Sequence, residues 1–270
     1  MSILWVFAGY SLAFSGSGEW FGDMAKALMV GVNLDSKSGS IPESLFAAFQ
    51  MTFAIITPAL IIGAYVERMK FVALLMFSAL WLLMVYAPVT HWIWGGGIMA
   101  GWGVLDFAGG IVVHATAGTA ALVCALVVGK RRGFLASVQP PHSPVLTMVG
   151  ACMLWVGWFG FNGGSALSAG SSAGMALLVT HIAAATASLV WMFIEWFRFG
   201  RPSLVGLVTG ILGFFVPLFW ILGIVFGAIG MKRTKDGSLR GRGMAVAGFV
   251  CGLLAPLLVL VLVGVILAAL

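Results

Sequence analysis

Residues 89–114 read VTHWIWGGGIMAGWGVLDFAGGIVVH. A loop rich in Trp and Gly leads to a lone carboxylate, Asp106, and then to an apolar run carrying one imidazole, His114. Ionisable groups are costly to bury in so apolar a setting, which makes both of them functional candidates. Working outward, the 270 residues are 61% hydrophobic and only 8% charged, and the mean hydropathy is +1.12. A soluble domain carries about 25% charged residues. The chain is therefore expected to be an all-α membrane protein, a polytopic bundle of about eight hydrophobic helices, since each span needs roughly 20 apolar residues. The 37 glycines suit close helix packing in lipid.

The opening MSILWVFAGYSLAF lacks the basic start and cleavage site of a signal peptide. It is too short to span and reads as the second half of a helix. Ser15 to Ile41 is polar and Gly-rich and is expected to be a solvated loop. Pro42 suits the first turn of a helix running to about Tyr65. Phe71 to Tyr86 is the next expected span, stopped by Pro88. Asp106 stands where an N-cap or first-turn carboxylate would, ahead of a helix ending near Val128. Val145–Phe161, Gly174–Phe197, Leu204–Gly230 and Met244–Leu270 complete the expected spans.

Basic residues set the orientation. Arg68 and Lys70, then Lys130, Arg131 and Arg132, then Arg198 and Arg201 fall at every second connector, which the positive-inside rule assigns to the cytoplasm. The loop 15–41, the Trp/Gly loop and 162–170 are then external. The alternation breaks after about residue 209, where the basic connector Met231–Gly243 falls on the wrong side. The net charge of +6 is spread over connectors and reads as topology signal, not as a nucleic-acid surface. Cys124, Cys152 and Cys251 each lie in an apolar run and are expected to be small buried hydrophobes.

The segments AFQMTFAIITPALIIGAYVER, YAPVTHWIWGGG, LDFAGGIVVHATAG, VGKRRGF, WFGFNGGSA and EWFRFGRPSLVG, in this order and spacing, closely resemble the ammonium transporter family, the ammonium/methylammonium permease and Rhesus-type fold. The match runs over about Ile3 to Thr209. Residues of about Ile211 to Leu270 instead resemble a two-helix membrane module of unknown function, carried by LGIVFGAIGMKRTKDGSLRGRGMAVAGFVCGLLA. The expected organisation is thus a partial ammonium transporter domain, 1–209, and a C-terminal helical hairpin, 210–270, as in a bacterial fusion or fragment. Relative to the family, a first helix, the start of a second and the late helices have no counterpart. The family's second pore histidine has none either, since no His follows His181. The resemblance implies a multi-pass protein of the plasma (inner) membrane and a homotrimer in which each protomer has a pore between two inverted repeats.

It also implies site residues. Trp94, Phe53 and Ser165 match the family's outer recruitment site, where aromatic faces attract a desolvated cation by roughly 0.5–2 kcal/mol each. Phe53 and Phe161 match a stacked gate, His114 a pore imidazole, and Asp106 a brace behind the recruitment site; Gln50, Tyr86 and Trp158 fall in pore-adjacent segments. From the residues alone each position has a plainer reading. Trp94 is one of 11 Trp and reads as an interfacial belt residue, while Phe53 and Phe161 are two of 20 Phe in a core. His114 reads as a core histidine, neutral and bonded to a neighbouring helix, and Asp106 as an N-cap. His91 and His142 are expected to be solvated, and His181 is assigned no role.

The sequence holds no Cys/His ligand spacing, no nucleophile–base pair and no phosphate loop, because GGGIMAG follows a Trp loop and lacks the Lys–Ser/Thr end. No enzyme activity, cofactor or metal is expected. The expected function is an ammonium/ammonia channel-transporter with the lipid bilayer and ammonium as partners. The alternative is a non-conducting transporter remnant or fusion that serves as an assembly or membrane-anchored module.

Overall fold

The computed structural model describes residues 1–131, 133 and 142–208. The chain divides into two compact units, residues 1–134 with 165–170, and 135–164 with 171–270.

In the first unit a short helix α1 (Ser2–Phe14) leads to the loop 15–41. That loop ends in a two-residue antiparallel pairing of β1 (Lys37–Ser38) with β2 (Ile41–Pro42). α2 (Glu43–Ala64) follows, then α3 (71–93), a short α4 (Ile98–Gly101) and α5 (Gly110–Val128). The core is aromatic. Trp5 packs edge-on against Tyr10 and Phe14, and Phe14 in turn against Phe46. Trp5 also donates its indole N–H to Ala47 O at 3.2 Å, tying α1 to α2. Ala47, Ala54, Ala87 and Ala117 are fully or nearly fully buried, and their small side chains let the helix backbones approach where lipid offers no hydrophobic driving force. In the second unit α6 (Pro144–Gly164) and α7 (Ser171–Phe199) form a helical hairpin. Asn162 Nδ2 donates to Thr180 Oγ1 at 2.8 Å across it.

Among the described residues, five helices are long and apolar enough to cross a membrane. Their exposed faces are apolar too: Phe71, Leu75, Met76, Leu80 and Met84 are all exposed on α3. That is the pattern of a polytopic helical protein whose outer solvent is hydrocarbon. The same reasoning corrects the cysteine expectation. Cys152 is exposed on α6 and Cys124 is half-buried, because an apolar run in lipid marks contact with the bilayer as readily as burial. Cys251, the span 244–270 and most of 204–230 lie outside the described residues.

Pro88 does not end its span. The helix continues from Phe71–Trp81 through a π turn, Leu82–Tyr86, into Ala87–Ile93. A proline removes one N–H and crowds the carbonyl four residues back. The wide π turn just before Pro88 accommodates both. Two further π turns lie at Trp5–Gly9 and Gly110–Ala115.

The loop 15–41 is largely exposed but tied down. Ser15 Oγ donates to the Asp23 carboxylate at 2.5 Å, and Ala25 N–H donates to the same oxygen at 3.0 Å. Those bonds, the serine's first, hold the Asp23 carboxyl below the usual carboxylate range. Lys26 pairs with Glu43, which is buried at the start of α2 and also accepts Tyr10 Oη at 2.7 Å. Ser40 Oγ donates to Leu167 O at 3.0 Å, fastening the segment 165–170 to the loop.

Candidate functional site

Asp106 organises the end of the first unit that carries Trp94. One carboxylate oxygen accepts Gly109 N–H and Gly110 N–H, each at 2.7 Å. The other accepts Ile111 N–H at 2.8 Å and Val112 N–H at 2.9 Å. These are donors at the start of α5, so Asp106 caps the helix with its charge at the positive end of the dipole, but it does so from three residues ahead of the N-cap position, Gly109, and not from the N-cap or first turn itself. The carboxylate is thereby committed to backbone donors. Gly109 makes the turn possible: its φ is +98°, and an added Cβ would come within 2.6 Å of Val113 Cγ2 and 3.5 Å of the Trp94 ring.

Trp94 follows the last residue of α3, and its indole N–H donates to the Asp106 backbone carbonyl at 2.7 Å. Phe53, three turns into α2, meets the Trp94 ring edge-to-face at a centroid distance of 5.3 Å and Phe49 at 5.0 Å. Phe53, Trp94 and Asp106 therefore come together from three elements. His114 lies on the π turn that opens α5 and is buried. Its backbone N–H bonds Gly109 O at 2.9 Å, so the same glycine supports both the Trp94 contact and the histidine's turn.

Gln50 and Tyr86 are also buried in this unit. Gln50 Oε1 meets no hydrogen-bond donor. The Tyr86 hydroxyl sits beside Thr57 and Thr90 without bonding geometry to either. Both threonine hydroxyls are instead turned onto their own helices, to Phe53 O at 2.6 Å and Tyr86 O at 2.8 Å. Ser165 is half-buried in the segment 165–170 of the same unit. Phe161 and Trp158 belong to the second unit, where both are buried and stack on each other at 4.6 Å with an interplanar angle of 21°. Among the described residues no group of His, Cys, Asp or Glu is arranged to hold a metal ion. A cavity of about 450 Å³ between α3 and α5, lined by Phe77, Trp81 and Cys124 among others, is apolar and contains none of the expected site residues.

His91 departs from expectation. It is fully buried, with Nδ1 3.1 Å from Ala13 O and Nε2 2.6 Å from Gly18 O. The sequence places it near a span end, where solvent is the natural inference. The loop 15–23 folds back over it. His142 is exposed as expected, and His181, also exposed, lies against Trp155 and Phe159. The Lys26–Glu43–Tyr10 cluster was missed as well. Its only sequence signal is a carboxylate beside Pro42 at a helix start.

Apolar spanning helices define a polytopic helical membrane protein, and Phe53, Trp94 and Asp106 cluster in its first unit, with His114 held in a π turn beyond them. The chain belongs to the Ammonium Transporter Family, whose sequence model matches residues 1–218. A second model, described only as a domain of unknown function, matches residues 202–267. An ammonium transporter of Bacillus subtilis is 45% identical over 242 residues, 85% of this chain and 59% of the relative. The ammonium transporter Amt1 of Archaeoglobus fulgidus is 44% identical over 250 residues, 92% of this chain and 59% of the relative. The crystal structure of Mep2 from Saccharomyces cerevisiae superposes with a TM-score of 0.72 at 35% identity, covering 93% of this chain and 54% of that one. The chain thus spans between half and two thirds of the length of these relatives. It is a multi-pass membrane protein.

Proposed function

We infer that the Trp94 end of the first unit is the mouth of a path for ammonium, conducted as ammonium or ammonia. The observation that carries this reading is the Phe53–Trp94 pair at 5.3 Å, with the indole N–H anchored on Asp106 O. Ammonium is a small cation with four N–H donors, and leaving water requires compensation by π faces and acceptor atoms. Trp94 and Phe53 supply the faces. Ser165 supplies a hydroxyl acceptor, Asp106 braces the mouth without touching the cation, and Phe53 and Phe161 each serve as a gate ring. Below, the imidazole of His114 and the buried polar atoms of Gln50 and Tyr86 offer hydrogen bonds in an otherwise apolar wall. Trp158 backs Phe161. The protein acts as a transporter and not as an enzyme, and it assembles as a homotrimer.

On this reading residues 1–209 form the transporter part and 210–270 a separate membrane module, a division supported by the two family models meeting near residue 202 to 218. The test is uptake of labelled methylammonium in cells lacking their own ammonium transporters. Uptake by the wild-type chain, lost in Trp94→Ala at equal membrane abundance, is the expected result. No uptake at good membrane abundance overturns it in favour of a non-conducting assembly module, and co-purification with a complete transporter would then identify that role.

A further inference from the structure

The His91 ring is the only fully buried imidazole among the described residues, and both of its partners are of one kind. Nδ1 faces Ala13 O, in the last turn of α1, and Nε2 faces Gly18 O, in the loop beyond it. A carbonyl oxygen only accepts, and a neutral imidazole has one N–H and one lone pair. In either neutral tautomer one of the contacts, at 3.1 or 2.6 Å, would set a lone pair against an oxygen. The imidazolium alone donates to both.

The surroundings make the contact structural. The His91 carbonyl accepts Gly95 N–H at 3.1 Å and Gly97 N–H at 2.9 Å, closing the turn behind Trp94. A Cβ at Gly95 would come within 2.8 Å of the ring Nδ1, so the turn packs directly on the imidazole. The loop adds a second link, Ile98 N–H to Glu19 O at 2.8 Å. The titratable side chains on α1 and on the part of the loop that reaches the ring, residues 15–26, are Tyr10, Glu19, Asp23 and Lys26; Asp35 and Lys37, further along the loop, are exposed. Tyr10 and Lys26 are committed to Glu43, and Glu19 points to solvent. Asp23 is the carboxylate that interacts electrostatically with the ring.

We propose that His91 is a proton-operated clasp that fastens the end of α1 and the loop at Gly18 to the turn carrying Trp94, and that loses one of its two bonds when it loses its proton. The loop over the mouth is then tight at acidic pH and loose at alkaline pH, independently of what the path conducts. An imidazole is the side chain suited to such a change between about pH 5 and 8.

The experiment is backbone hydrogen exchange of the full-length protein in nanodiscs from pH 5 to 8.5, corrected for the intrinsic pH dependence of exchange and read at residues 15–23 and 95–98. The amides of Asp23 and Ile98, bonded to Ser15 O and Glu19 O, are the reporters. Protection should fall about tenfold across the range, the size expected for one charge-assisted bond. His91→Gln, which keeps one donor and cannot titrate, should give weaker protection that no longer depends on pH. Protection that is flat with pH in the wild type overturns the clasp, as does an unchanged pH dependence in His91→Gln. If the variant fails to fold, the wild-type profile together with the ¹⁵N signals of labelled histidine decides the matter, because a buried imidazole that stays neutral at pH 5 excludes the proposal. Transport is not read at any step, so this result and the cargo reading fail separately.

Discussion

Replacing Asp106 by alanine leaves four backbone N–H groups without their acceptor. The four are not equivalent. Gly110 is exposed and Ile111 half-buried, so water can take over there, whereas Gly109 and Val112 are buried. A buried donor left unpaired costs about 1–3 kcal/mol, and loss of the charge at the helix N-terminus adds roughly 0.3–1 kcal/mol. Asp106→Ala should therefore destabilise the first unit by about 3 kcal/mol, more than a hundredfold in the folding equilibrium. Asp106→Asn keeps one oxygen acceptor and should lose about half as much. Denaturant unfolding of the detergent-solubilised protein, followed by tryptophan fluorescence, measures both. Alanine costing under about 1 kcal/mol would refute the capping account, and so would asparagine matching the wild type, because the charge would then contribute nothing.

Gly109→Ala places a Cβ where φ is +98° and Val113 already stands, so a loss of about 2 kcal/mol or more in the same assay is expected, with a shifted Trp94 emission. Trp94→Phe keeps a ring beside Phe53 but loses the bond to Asp106 O; it should cost about 1 kcal/mol and reduce methylammonium uptake without abolishing it. The Asp23 carboxyl is held below its usual range, so its stabilisation of the loop is complete above the unfolded value and is lost as pH falls through the lower, folded one. Below pH 5, where His91 is not at issue, exchange at residues 15–25 should rise only at strongly acidic pH in the wild type, and at a higher pH in Ser15→Ala, which removes the principal bond. A profile in Ser15→Ala identical to the wild type would show that the serine does not set it.

Much of the fold could be read because lipid imposes simple rules. Spans must be long, apolar and helical, and the starts and ends of α2, α5, α6 and α7 fall within a few residues of expectation. Asp106 was readable for a similar reason: a lone carboxylate before an apolar run has few places to go other than a helix N-terminus. Pro88 was misread as a stop because a π turn leaves no mark in residue type. His91 was misread because its burial depends on a loop folding back from more than 70 positions earlier in the chain, and no local pattern encodes that. The membership of Phe53, Trp94 and Asp106 in one cluster came from family resemblance; their spacing alone would have left them as core, belt and cap.

The π turn at Gly110–Ala115 has a consequence for how this chain can vary. A π turn is an α-helix carrying one residue too many, and each residue of an α-helix turns the face by about 100°. The π turn absorbs that residue because it winds less per residue, so the segments before and after it face much as they would across an α-helix one residue shorter. Deleting one residue there would allow ordinary α geometry and leave the Asp106 cap and the body of α5 facing their present neighbours. What the extra residue changes is local: the side chains inside the turn, His114 among them, stand where regular α geometry would not put them. A one-residue deletion should therefore move the imidazole far more than it alters stability.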